Sequence, residues 1–410
     1  MSARSTWAAL PLKLKILLAS MILANIGSRV YRPFMPLYLL SLGGSVALVG
    51  FFFTYDTIAA ALLRPFGGWV SDSIGRLQTV GIGTVFGFLG MLGYALAPSY
   101  AWLLVATTSL ALGRSLVGPS FRAYTAEVAP QGGMAQTFGV VNGLFSVVDI
   151  IGPLLGGWVA LTFELGNVFW VAAGFMAAAT ILRVSVALRQ PYHWYSLRLS
   201  GLTAGFKGMF LGMIGGGLLT WLLITDSLRD LGVSLYQNLE PLLLQDLSYN
   251  EAQIGLMFSL FALVYALSSI FGSRLADHWS AAGTLALGGV VQVMGLGLLL
   301  VGQSPALILG YFVLSGLAFG VADPAFDALL VVAAPPGHMG MTFGLFRTAI
   351  SFAAMPAPYI GSLMWENGNP LLPFAAGAVS LGAAAVLTWF ALRPRVAELP
   401  GGASMRSPAD

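Results

Sequence analysis

The chain has 410 residues, 57% of them hydrophobic and 9% charged, with 19 Lys and Arg against 16 Asp and Glu. So little charge excludes a soluble domain of this size, and many segments exceed the roughly 18 apolar residues that mark a membrane helix. Cysteine is absent, which excludes disulfides and thiolate metal sites. His193, His278 and His338 fall in polar stretches, so no metal site, catalytic histidine cluster or cofactor is expected, and a net charge of +3 fits loops lying on lipid without any nucleic acid.

Hydropathy places twelve spans, at about 14–40, 46–71, 78–97, 100–125, 137–162, 166–188, 207–245, 252–276, 281–301, 305–334, 341–365 and 370–393. The segment before the first span has no cleavage-site pattern, so that span reads as a helix and not as a removed signal. The longest polar break, Arg189–Phe206, divides the chain into a six-helix bundle at 1–188, a linker at 189–206, a second six-helix bundle at 207–393 and a tail at 394–410. Lys and Arg gather in alternate loops. Arg4, Lys13, Lys15, Arg76, Arg122, Arg189, Arg198, Arg274, Arg393, Arg395 and Arg406 lie on one side, while the opposite loops hold Glu164, Asp246, Glu251 and Glu366. By the positive-inside rule both termini face the cytoplasm.

The halves repeat at a single offset of 205 residues. It pairs Pro36 with Pro241, Gly50 with Gly255, Asp72 with Asp277, Pro119 with Pro324, Pro153 with Pro358 and Gly156 with Gly361. One ungapped offset across five spans implies the same bundle twice, in the same orientation. The architecture expected is therefore an all-α membrane protein of twelve helices in two pseudo-symmetric bundles.

The turn between spans 2 and 3 reads Phe66-Gly67-Gly68-Trp69-Val70-Ser71-Asp72-Ser73-Ile74-Gly75-Arg76. Gly68 lets backbones approach, Gly75 suits a positive φ, and Arg76 suits lipid phosphates or acidic side chains. The pattern of Gly68, Asp72, Gly75 and Arg76 resembles motif A of the major facilitator superfamily. The resemblance implies that Asp72 meets the N-terminal dipole of span 11 near Gly340 and Met341 and so helps gate the cytoplasmic side. In the second copy Gly75 and Arg76 become Ser280 and Ala281.

Two further motifs are partial. Gly152-Pro153-Leu154-Leu155-Gly156-Gly157 on span 5 resembles motif C, which that family associates with drug–proton antiport, although Val148 stands where a first Gly is usual. Physically it promises a bend at Pro153 and close packing at Gly152, Gly156 and Gly157. Arg114 and Gly118 on span 4 are similar to motif B, whose Arg is linked in the family to proton coupling.

Charges inside spans are costly and mark function by default. The first half leans positive, with Arg29, Arg32, Arg64, Arg114 and Arg122 against Asp56 and Asp149. The second leans negative, with Arg229 and Arg347 against Asp226, Asp230, Glu240, Asp323 and Asp327. Opposite charge on the two halves suggests breakable ion pairs as gates, with Arg122, Asp327 and Arg347 as members. Arg64, Arg122 and Glu240 lie near span ends, where snorkelling is the simpler reading. Spans 4 and 5 are consecutive, so Asp149 is expected to meet Arg114, carrying a coupled proton whose release Arg114 controls, with Asp323 as the strongest competing carrier. Arg29, Arg32, Tyr31, Asp226, Asp230 and Tyr236 are candidates for touching substrate, although each tyrosine alone reads more simply as an interfacial aromatic.

Residues 12–393 as a whole resemble a twelve-helix secondary transporter of that superfamily. The resemblance implies no enzyme, but a monomer in the cell membrane whose partners are lipid, protons and a small-molecule substrate. It points to proton-coupled export of amphiphilic compounds by alternating access. Arg29 and Arg32 favour the alternative, uptake of a small organic anion. No phosphate-binding Gly-rich loop is present to support ATP-driven transport.

Overall fold

The computed structural model describes residues 11–128, 134–189, 217–333 and 339–392, and these form helices joined by short turns, with no strand among them. The helices are α1 (Leu12–Tyr31), α2 (Met35–Ser41), α3 (Val46–Ile74), α4 (Arg76–Ala95), α5 (Tyr100–Val128), α6 (Met134–Phe163) and α7 (Asn167–Ala187). They continue with α8 (Leu218–Tyr236), α9 (Glu240–Asp246), α10 (Glu251–His278), α11 (Ala281–Val301) and α12 (Pro305–Ala333). The last are α13 (Met339–Ala354), α14 (Ala357–Asn367) and α15 (Leu372–Leu387). Among the described residues, ten segments are long and apolar enough to cross a membrane. The other two spans, 7 and 11, are each built of two helices. Proline makes the breaks: α1 and α2 are separated by a 3-10 turn at Arg32–Phe34 carrying Pro33, α8 and α9 part just before Pro241, and α13 and α14 part at Pro356.

Contacts divide the chain into two compact units. The first comprises residues 1–45, 55–197 and 244–259, and the second 46–54, 198–243 and 260–410. They follow the repeat halves except for two exchanged helix ends, and the exchange has a physical cause. A Cβ on Gly50 would lie 2.4 Å from the Pro358 carbonyl oxygen, and one on Gly255 would lie 2.3 Å from that of Pro153. These are repeat-related contacts, so each exchanged end is fixed by a glycine seated on a proline-bearing helix. The linker beyond Arg189 and the tail from Arg393 lie outside the described residues.

In the first unit α1 packs on α6 and α7, and α4 packs on α5 and α7. Its core includes Leu14, Leu17, Leu77, Val80, Phe121 and Val141. In the second unit α8 packs on α15 and on α13–α14, and α11 packs on α12 and α15. Its core includes Leu219, Leu222, Ala282, Leu285, Phe326 and Phe346, which are the same six positions displaced by the repeat offset. The repeat read from glycines and prolines is thus also a repeat of buried apolar contacts.

Candidate functional site: charge clusters inside the helices

The turn at residue 75 behaves as its residue types require. Gly75 has φ +101°, the kind of backbone that glycine tolerates, and it opens α4 directly after α3 ends. Arg76 donates to Asp72, to Ser71 Oγ at 3.0 Å and to Glu127 Oε1 at 3.1 Å, tying the turn to the end of α5. The partners of Arg76 are therefore acidic side chains, with Glu127 an addition that spacing did not show. Gly68 lies within α3, and the side chains of Gly340 and Met341 are outside the described residues. The second copy makes the same turn differently: Ser280, in extended backbone, caps α11 by accepting from the Gly283 N–H at 3.2 Å.

The glycines of the α6 motif act as close-packing sites. A Cβ on Gly152 would lie 2.3 Å from Arg29 Cβ, one on Gly156 2.1 Å from the Val30 carbonyl oxygen, and one on Gly157 2.5 Å from that of Glu251. Pro153 lies inside the helix. Gly361 repeats the Gly156 contact, 1.9 Å from the Leu235 carbonyl oxygen, where Leu235 is the repeat mate of Val30.

Close packing of α6 on α1 also decides the ion pairs of the first unit. Asp149 faces α1 and bonds Arg29 at 2.6 Å, while Arg114 bonds Asp56 of α3. The expected meeting of Asp149 with Arg114 does not occur. Spans 4 and 5 are neighbours in sequence, but α5 packs on α4 and α6 packs on α1. Tyr31 is buried at 7% exposure, with its ring 5.7 Å from that of Tyr94 and 5.8 Å from that of Phe169, so it packs in the core of its unit and not at an interface with headgroups. Arg32 and Arg122 are exposed.

The second unit gathers its charges around one guanidinium. Arg229 bonds Asp226 at 2.8 Å, one turn earlier on α8, and Asp323 on α12 at 2.9 Å. Tyr265 donates to the other Asp323 oxygen at 3.3 Å. Phe326 places its ring 5.7 Å from the Arg229 guanidinium and 5.9 Å from that of Arg347, and Arg347 bonds Asp327 at 3.3 Å. Asp230 is partly buried one residue beyond Arg229. A cavity of about 10 Å³, room for roughly one water, adjoins Thr225, Asp226 and Arg229. Tyr236 is buried at 1% exposure, its hydroxyl accepting from Gln292.

Among the described residues, each of these ion pairs joins residues of one unit. Two charged residues were read wrongly or missed. Glu240 does not snorkel, because it receives the Tyr311 hydroxyl. Arg183, buried at 3% inside α7, bonds the Ser20 hydroxyl and carbonyl and Thr84 Oγ1, tying α7 to α1 and α4. It lies four residues before the end of α7 at Ala187, among apolar neighbours that conceal it in a hydropathy profile.

The model of the Major Facilitator Superfamily matches residues 17–228 and 222–408. The chain belongs to the major facilitator superfamily. Among curated relatives of this superfamily member, the multi-drug resistance efflux pump PmrA homolog of Lactococcus lactis subsp. lactis (strain IL1403) is 25% identical over 339 residues, covering 80% of this chain and 82% of that protein. The fosmidomycin resistance protein of Escherichia coli (strain K12) is 28% identical over 307 residues, 70% of each chain. Among solved structures, a bacterial homologue of the iron transporter ferroportin in an inward-facing state aligns with a TM-score of 0.73 at 18% identity, over 92% of this chain and 98% of that one. The superfamily member is accordingly a multi-pass membrane transporter acting on a small molecule, with the all-α twelve-helix fold read from its sequence.

Proposed function

We propose that the chain is a proton-coupled secondary transporter that exports amphiphilic, drug-like compounds from the cell by alternating access, as a monomer in the cell membrane with both termini in the cytoplasm. The observation that carries this reading is the Asp226–Arg229–Asp323 group. One guanidinium faces two carboxylates, leaving an unbalanced negative charge inside the helical bundle. A proton satisfies that charge in one state and the cationic end of an amphiphile in another, which is the exchange an antiporter needs. The name of the Lactococcus relative, an efflux pump, supports efflux, and that of the Escherichia relative supports a role in drug resistance.

Asp323 then takes the principal proton-carrying role. Arg29–Asp149 and Asp56–Arg114 are balanced pairs whose opening exposes further carboxylates. The Asp72–Arg76–Glu127 turn acts as a latch on the cytoplasmic side. The six-helix halves, 1–188 and 207–393, are the moving parts. Uptake of an organic anion is the weaker alternative, because Asp149 already occupies Arg29.

Purified protein in liposomes, with an imposed pH gradient and ethidium as probe, tests the reading. Gradient-driven ethidium accumulation by the wild type and its loss in Asp323→Asn are expected. No accumulation by the wild type with any of several amphiphilic cations overturns it.

A further inference from the structure

Glu240 stands apart from every cluster above. It opens α9 directly after the break in span 7, is partly buried, and takes one hydrogen bond, from the Tyr311 hydroxyl of α12. Around Tyr311 the surroundings are polar but uncharged. The Tyr236 and Ser315 hydroxyls are joined through the Gln292 amide. Gln292 donates to Tyr236 at 2.8 Å and to Ser315 at 3.2 Å. The Gln292 side-chain oxygen is buried without a partner among the described residues, so the network lacks a donor. Packed beside it are apolar rings, Phe374 at 5.4 Å from Tyr236 and Phe312 at 5.1 Å from Tyr311. The titratable groups facing Glu240 are thus two tyrosines, and no described cation neutralises it.

The repeat shows that the fold does not require this carboxyl. The mate of Glu240 is Met35, 1% exposed in the same broken-helix position, and the mates of Tyr311 and Gln292 are Ala106 and Gly87. The first copy has apolar residues at these three positions, keeping a phenol only at Tyr31, the mate of Tyr236, while the second has a carboxyl, a phenol and an amide there. A partly buried carboxyl whose one described donor is a neutral phenol is poorly stabilised as an anion, which points to a purpose other than packing.

We propose that Glu240 and Tyr311 form a second proton-binding site, separate from the Asp226–Arg229–Asp323 group. Glu240 holds a proton in the conformation described and releases it to water when movement at the span 7 break opens the corner. This rests on the proton-coupled reading above, but the site itself is tested without transport.

The experiment uses dicyclohexylcarbodiimide, which couples to the neutral acid in apolar surroundings, on the purified full chain, with Glu240 modification read by peptide mass spectrometry across pH. Labelling should be high at acidic pH and fall about tenfold per pH unit once the acid ionises. Tyr311→Phe should move that fall to higher pH, because the anion has lost its donor, while Asp323→Asn should leave it in place. Glu240→Met, which copies the first half, should fold as well as the wild type and shift the pH profile of ethidium transport. Glu240 left unlabelled at every pH, or a fall unmoved by Tyr311→Phe, overturns the proposal. Failure of the wild type to transport leaves the labelling result intact and counts against the antiport reading alone.

Discussion

Arg229 is the residue whose removal the structure makes most costly. Asp226 is 6% exposed and Arg229 19%, so Arg229→Met strands a buried carboxylate, and breaking a buried pair in this way costs about 3–5 kcal/mol. Loss of the guanidinium over Phe326 adds about 0.5–2 kcal/mol. Asp323 is 36% exposed, and Arg229 keeps Asp226 when it is neutralised, so Asp323→Asn should cost about 1 kcal/mol or less. The ordering matters more than the values: Arg229→Met should be far less stable than Asp323→Asn, and Arg229→Met with Asp226→Asn should recover most of the loss. The assay is heat-induced loss of folded protein in a mild detergent, followed by size-exclusion chromatography. Equal stability of the two single variants, or a double variant no better than Arg229→Met, would refute the reasoning that Asp226 depends on Arg229.

Gly156→Ala and Gly361→Ala each drive a Cβ into a carbonyl oxygen, at 2.1 and 1.9 Å, and should lower stability by about 1–3 kcal/mol, whereas Gly143→Ala, with open space around it, should be neutral or stabilising in the same heating assay. Arg114→Asp alone should sharply reduce ethidium transport, and adding Asp56→Arg should restore part of it; a double variant as inactive as the single would argue against the pair. Asp72→Asn removes one of two carboxylates from Arg76 and should reduce transport while leaving folded protein in the membrane, because Glu127 remains. Unchanged transport and unchanged cytoplasmic-side thiol labelling of introduced cysteines would remove Asp72 from the gate.

Much of the fold is legible because membrane helices advertise themselves by length and because the repeat is ungapped. Hydropathy gives the spans and glycine at 75 gives the positive φ, whereas the breaks at Arg32–Phe34 and before Pro241 fall inside segments that hydropathy reads as continuous spans. The pairing of charges is less legible. Sequence order says that spans 4 and 5 are connected, not that they pack, and the rotation of α6 that aims Asp149 at Arg29 is set by Gly152 and Gly156 seated on α1. The Asp226–Arg229 pair was readable from its i, i+3 spacing, as neighbours on one helix face. Glu240 was not, since a carboxyl beside a proline near a span end looks solvated until the phenol of Tyr311, 71 residues on, is placed against it.

Proton movement driven by substrate alone tests the central claim most directly. Liposomes holding the purified protein and a pH-sensitive dye are prepared without a pH gradient, and ethidium is added outside. Exchange of substrate for protons requires the interior to become alkaline as ethidium enters, and this response should disappear in Asp323→Asn. Acidification on substrate entry would establish symport, and ethidium entry with no change in internal pH would show transport uncoupled from protons; either result contradicts the antiport account.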